Sequence, residues 1–227
     1  MTFQCFIFDF DGTLAYSEPA YRASFLHSIQ LHTGLEVNVD EFRDFWNVTP
    51  QKVLSRYSGE MLEEMLVSFE EHYYANHHHH LTAYDGIAEL LESLSSRGAS
   101  IAVVSLKPRR AGELEIDLTG LRSLIDLSVW GDDVEKPKPD PSGVLRAMKE
   151  LGADPRSTLV IGDSPADIMM GRRAGTRTAA AMWGGSSRER LLAESPDLAL
   201  EAPGDLLNAI HEERGRGALP TSRQERL

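Results

Sequence analysis

The sequence predicts an α/β fold: a doubly wound (Rossmann-like) parallel sheet core with an inserted all-helical cap domain. Three observations predict it. Short β-branched apolar runs alternate with amphipathic segments from residue 84 onward; the first apolar run, residues 3–8, is unbroken, as suits a strand buried on both faces; and the stretch between them carries helical periodicity alone.

The elements follow in order. FQCFIF (3–8) reads as the first strand, stopped by Gly12 and Thr13. Tyr21, Phe25 and Ile29 recur every four residues and form one helical stripe that ends at Gly34. Met61, Leu62, Met65, Leu66, Phe69 and Tyr73 repeat the pattern, and from 16 to about 80 no strand stands out. DGIAELLESLSSRG (85–98) reads as an amphipathic helix, SIAVVS (100–105) as a strand, LIDLSVW (124–130) as a second strand and SGVLRAMKELG (142–152) as a helix. STLVIGD (157–163) is a third strand after the first, PADIMMGRRAG (165–175) a helix, TRTAAAMWG (176–184) a weaker strand, and RERLLAES and DLLNAIHEE the closing helices. Repeated strand and helix imply right-handed crossovers between parallel strands. The domain expectation is therefore a core of residues 1–15 and 84–213, a helical cap of residues 16–83, and a frayed polar tail of residues 214–227.

Composition narrows the class. A chain of 227 residues, 41% of them hydrophobic, can bury a substantial core. The formal charge of −12, with basic residues in no long cluster, argues against a nucleic-acid partner but leaves room for a locally cationic pocket. Cys5 is the one cysteine and lies in the first strand, so it reads as core and excludes an intramolecular disulfide. No apolar run reaches the ~20 residues of a membrane span, and the N-terminus lacks a signal-peptide pattern; a cytoplasmic protein, monomer or homodimer, is expected.

Function is read at the strand ends, because open α/β sheets bind ligands beyond the carboxyl ends of their strands. The first strand ends in Asp9 and Asp11, SIAVVS in Ser105 and STLVIGD in Asp163, with Asp167 one helical turn on; Lys136 and Lys138 lie in the loop EKPKPDP. Clustered carboxylates repel one another unless a cation joins them, and hard oxygen ligands suit Mg²⁺. A lysine and a hydroxyl add donors for a phosphoryl group. Singly, each feature has a plain structural reading: a turn for DFDG, a helix N-cap for DSPAD, a stiff loop for KPKPDP. Their placement at four separate strand-to-helix junctions on one edge is what those readings leave unexplained.

Those motifs, FDFDGTL (8–14), VVSLKP (103–108), KPDP (138–141) and VIGDSPAD (160–167), resemble the phosphatase branch of the haloacid dehalogenase-like superfamily, with phosphoglycolate phosphatase-like proteins the nearest suggestion; the resemblance spans residues 3–184. It implies Asp9 as a nucleophile that carries an aspartyl phosphate, and Asp11 as general acid and then base. It implies Mg²⁺ on the Asp9 and Asp163 side chains and the Asp11 carbonyl, Ser105 on the phosphoryl oxygens, and a motif lysine beside Asp9. Lys138, fourteen residues before Gly152, fits the family register, with Lys136 the alternative. Asp167 would orient the lysine or a metal-bound water. The implied activity is Mg-dependent hydrolysis of a small phosphorylated metabolite.

The chain departs from the family where relatives have DGTLVDS and it has DGTLAYS: Tyr16 replaces an acid at the hinge into the cap, which bears on substrate more than on chemistry. HHHH (77–80) reads as a solvated linker from cap to core. Lys52 and Arg56 read as an exposed helix face, and Lys107 either approaches the substrate or lies on the surface. Dehalogenation and phosphonate hydrolysis are disfavoured by the presence of Asp11. A sugar phosphomutase retains it and stays an alternative, as does a phosphate-binding module without turnover.

Overall fold

A computed structural model describes residues 3–38 and 48–217 of the chain. β1 (Cys5–Phe8) is a run of four residues, each 1% exposed or less. The chain leaves it through a tight loop in which the Thr13, Leu14 and Ala15 N–H groups all turn back to the Phe10 carbonyl. β2 (Ala15–Tyr16) follows, then α1 (Glu18–Thr33), α2 (Pro50–Leu54) and α3 (Leu62–Asn76), after which β3 (Thr82–Ala83) returns antiparallel to β2. The periodicity explains the packing. Phe25 and Ile29 of α1 meet Met65, Phe69 and Tyr73 of α3 in an apolar cluster that these helices keep to themselves. Gly34 ends α1 at φ +69°, donating its N–H to the Gln30 carbonyl.

The expected alternation then sets in with α4 (Ile87–Ser96), β4 (Ser100–Val104), α5 (Arg109–Leu118), β5 (Leu127–Val129), α6 (Ser142–Leu151), β6 (Thr158–Gly162) and α7 (Pro165–Arg173). It closes with β7 (Arg177–Ala181), α8 (Arg188–Ala193), β8 (Leu198–Leu200) and α9 (Asp205–Gly217). Six strands form one sheet in the order β5-β4-β1-β6-β7-β8, and every neighbouring pair is parallel. Alternate residues of β1 serve opposite faces, as a pleated strand requires. Phe6 and Phe8 pack with Leu90, Leu91 and Leu94 of α4, while Cys5 and Ile7 pack with Val144, Ala147 and Met148 of α6. The Phe, Leu, Ile, Val and Met side chains among them each contribute about 1.5–3 kcal/mol by burial. The chain winds outward from β1 first to β4 and β5, then to β6, β7 and β8, so the winding reverses between β1 and β6, where α/β sheets open a crevice for ligands.

The differences from the sequence reading are local. α5 was not anticipated, because its buried face is Ala111, Gly112, Glu115 and Ile116, a stripe with a glycine and a charge where apolar residues would signal it. β8 is three residues long, too short for an alternating pattern. The strand expected over 124–130 shrinks to Leu127–Val129, behind a 3₁₀ turn at Arg122–Leu124. Tyr16, expected in helical surroundings, belongs to β2. The backbone of α9 runs to Gly217, so residues 214–217 continue a helix where a frayed tail was expected; the rest of that expectation, 218–227, lies outside the described residues. His77 is buried and stacked on Tyr73, with centroids 5.3 Å apart, so HHHH is not solvated throughout; His78, His79 and His80 are exposed. No described helix is long and apolar enough to cross a membrane.

Candidate active site

β1 and β6 are neighbours in register, so the residues that follow them meet by construction. The Asp9 N–H extends the ladder to the Ile161 carbonyl at 2.9 Å, and Asp163 comes directly after Gly162. Asp9 is 8% exposed and Asp163 fully buried. Gly12, at φ +81°, carries the loop after β1 so close to Asp163 that a Cβ would overlap its carboxylate; glycine alone meets both demands. The Asp163 Oδ2 accepts the Gly185 N–H at 2.8 Å, which ties the loop after β7 to the same point.

Asp167 arrives from the first turn of α7. Ser164 is the N-cap, Pro165 takes the first helical position, and the two side chains bond reciprocally: the Ser164 N–H donates to Asp167 Oδ2 at 3.0 Å and the Asp167 N–H to Ser164 Oγ at 3.3 Å. That leaves Asp167 Oδ1 to face Lys138. The buried Lys138 ammonium donates to Asp167 Oδ1 and to Asp9 Oδ1, each at 2.7 Å. Lys136 is exposed, so of the two lysines in EKPKPDP it is Lys138 that reaches Asp9. Ser105, buried at the end of β4, donates its N–H to the Val129 carbonyl at 3.0 Å. Asp9, Asp11, Ser105 and Lys138 line one cavity of about 470 Å³, closed on its far side by residues of α1 and α3 such as Tyr21 and Phe69. Asp163 and Asp167 are fully buried.

Asp9 and Asp167 thus share one ammonium, with the Asp163 carboxyl group buried beside them. Burial pushes the Asp9 carboxyl well above the usual carboxylate range, with Asp167 and Asp163 adding to the shift and Lys138 opposing it. Burial presses on Lys138 in the opposite sense, but Asp167 and Asp9 outweigh it and hold the ammonium above the ordinary lysine value. Asp9, Asp163 and Asp167 each offer an oxygen within 4.8 Å of the others, a hard, all-oxygen donor set of the kind Mg²⁺ takes. Both Asp167 oxygens already accept bonds, from Lys138 and Ser164, so Asp9 and Asp163 are the better placed to hold a cation.

Residues 6–181 match the family model of haloacid dehalogenase-like hydrolases. The chain belongs to that family. The pyrophosphatase PpaX of Bacillus velezensis is 32% identical over 202 residues, 89% of this chain and 94% of that protein. Among solved structures, that of a predicted phosphoglycolate phosphatase from Haemophilus somnus superposes with a TM-score of 0.85 at 21% identity, covering 92% of this chain and 98% of its own. A haloacid dehalogenase-like family hydrolase from Streptococcus pneumoniae does so with a TM-score of 0.82 at 20% identity, covering 91% and 98%. This haloacid dehalogenase-like protein is a hydrolase, and the expected reaction class, hydrolysis of a phosphoric ester, stands.

The hydrolase also contains a polar cluster that the sequence reading left unassembled. Lys107 is on neither footing alone: it lines the cavity, yet its side chain is fully buried, so the surface reading is overturned. Its ammonium lies 2.9 Å from Asp11 Oδ1 and 2.6 Å from Glu115 Oε2, and donates to the Tyr73 hydroxyl at 3.0 Å. The Ser17 hydroxyl donates to the same Asp11 oxygen. Tyr73 and Glu115 were missed as site neighbours; the available signal was a glutamate four residues after Ala111, on the face α5 turns inward. Lys52 and Arg56 are exposed, as read.

Proposed function

We propose that the protein is a Mg-dependent phosphatase that hydrolyses small phosphorylated metabolites through an aspartyl phosphate on Asp9. The observation that carries this reading is the Asp9 carboxylate held by Lys138 on the cavity wall, backed by buried Asp163 and Asp167. In the first step an Asp9 oxygen bonds to phosphorus, the bond from phosphorus to the leaving oxygen breaks, and that oxygen takes a proton from Asp11. In the second, Asp11 accepts a proton from water, the water oxygen bonds to phosphorus, and Asp9 departs as a carboxylate with release of orthophosphate. Lys138 neutralises Asp9 as phosphorus approaches and then the phosphoryl oxygens; Ser105 stands on the same wall to donate to them. Asp167 fixes the lysine. Asp9, Asp163 and the Asp11 carbonyl would hold Mg²⁺, which supplies positive charge against the phosphoryl oxygens.

The helices α1–α3 cover the cavity and act as the cap, excluding water and selecting the leaving group. The two-strand ribbon of β2 and β3 is the place where they join the core. A cavity of this size, walled on one side by α1 and α3, fits a small phosphorylated metabolite rather than a phosphoprotein, and the lone buried thiol agrees with a cytoplasmic setting. A panel of phosphate monoesters, with inorganic pyrophosphate added because of the named relative, tests the reading by released orthophosphate. Turnover that requires Mg²⁺ and stops with chelator is expected; no release from any compound at any cation concentration would overturn it.

A further inference from the structure

The structure joins Asp11 to the covering helices through the buried Lys107 and through Ser17. Lys107 Nζ reaches Asp11 Oδ1 at 2.9 Å, Glu115 Oε2 at 2.6 Å and the Tyr73 hydroxyl at 3.0 Å, while that hydroxyl donates to Glu115 Oε1 at 2.6 Å. These four residues come from four places: the loop after β1, the loop after β4, α5 of the sheet layer, and α3 of the insertion. The ammonium is also packed against aromatic rings, 4.9 Å from the Tyr21 centroid and 5.4 Å from that of Tyr73, both on the insertion. Ser17, where the insertion begins, donates to the Asp11 oxygen that Lys107 holds.

A plain anchor for α5 would need none of this. Burying charges is a costly way to pack a helix, and apolar residues of similar volume serve stability as well. Two donors on one Asp11 oxygen do something packing cannot: they fix the rotamer of the carboxyl group. One donor is set by the start of the insertion, and the other is seated by Tyr73 of α3.

We infer that Lys107 is a positioning residue, which holds the Asp11 side chain in the rotamer that faces the leaving group when Tyr73 of α3 is seated on Lys107 and Glu115. The inference rests on the phosphatase reading and adds to it a link between the cover and the proton donor. Ester cleavage then depends on this cluster in proportion to how much the leaving oxygen needs a proton. Alkoxides need it; activated phenolates do not.

The test measures kcat/KM, which reports the step that expels the leaving group, for a series running from alkyl phosphates to dinitrophenyl phosphate with Mg²⁺ present. The double variant Lys107→Met with Glu115→Gln removes both buried charges together, and Tyr73→Phe removes only the contact from α3. For the double variant, alkyl esters are expected to lose about 100-fold and the dinitrophenyl ester less than about 5-fold, a steeper leaving-group dependence of the size general acid catalysis supplies. Tyr73→Phe is expected to show the same selective loss at about 10-fold, and it decides the matter if circular dichroism shows the double variant unfolded. An equal loss at both ends of the series, or none, in a variant that folds overturns the inference while leaving the phosphatase reading intact. A parent protein that cleaves no ester in the series overturns both.

Discussion

Asp9 sits in a cluster of three carboxyl groups, two of which share one ammonium, and its proposed chemistry depends on that imbalance. A nucleophile at this position cannot be replaced by its amide, so Asp9→Asn should reduce phosphate release by at least about a thousandfold while the protein stays folded; full activity in that variant would remove Asp9 from the role. Lys138 bridges Asp9 and Asp167 while nearly excluded from solvent. Lys138→Met breaks a buried pair at a cost of about 3–5 kcal/mol, roughly 6 °C or more in Tm for a chain of this size. Lys136→Ala, at an exposed position, should leave both Tm and turnover within error of the parent. Paired calorimetry and phosphate assays on the two lysine variants distinguish them, and a reversed pattern would show that the register of EKPKPDP was misread. At this scale, residues at strand ends were legible because topology alone sends them to one edge: Asp9 and Asp163 needed only the order of elements, whereas Lys138 was favoured over Lys136 by the register of the family resemblance. Lys107, Glu115 and Tyr73 were not. Each lies beside a strand end or on a helix flank, and only three-dimensional packing brings a tyrosine of α3 to a glutamate of α5.

At the scale of elements, β1 carries the molecule, since both faces of the sheet pack on its four residues. Burial in β1 pushes the Cys5 thiol up from its ordinary 9.0 to about 11, against an opposing hydrogen bond with Thr158 and with Asp126 adding to the rise. The folded state therefore favours the protonated thiol. Its contribution to stability is complete below pH 9 and is lost as pH rises through 11. The difference in Tm between the parent and Cys5→Ala should shrink over that interval, and a difference independent of pH would contradict the burial argument. The loop after β1 is equally exacting. Gly12→Ala combines a strained positive φ with overlap on Asp163, and is expected to lower stability by about 1–3 kcal/mol, read by urea titration. Elements with strong periodicity could be read from their apolar stripes: α1, α4 and α6 also have a glycine at or just past the end, Gly34, Gly98 and Gly152, whereas α3 runs into His77 and was read from its stripe alone. α5 and β8 could not, for opposite reasons: the one replaces apolar signal with Gly112 and Glu115, and the other is shorter than its own period.

For the whole molecule, the account makes folding and cation binding one equilibrium. A cation that joins Asp9 and Asp163 binds only the folded chain, because these residues are 154 positions apart in sequence and meet only when β1 and β6 pair. Mg²⁺ at a hundred times its Kd should add about 2.7 kcal/mol to stability, visible as a rise in Tm that Asp163→Asn reduces and excess chelator abolishes. The fold class was readable because a parallel sheet writes itself along the chain as alternating elements. The inserted helices were readable as a stretch that does not alternate, whereas their contacts with the sheet layer are tertiary and left no trace in the pattern. The central claim, that Asp9 takes up the phosphoryl group, is tested most directly by quenching the protein in acid during turnover and locating phosphate by peptide mass spectrometry. The account predicts one phosphoryl group on the peptide that contains Asp9, with none there in Asp9→Asn. Steady turnover with that peptide unmodified, or with the phosphoryl group on another residue, would contradict it.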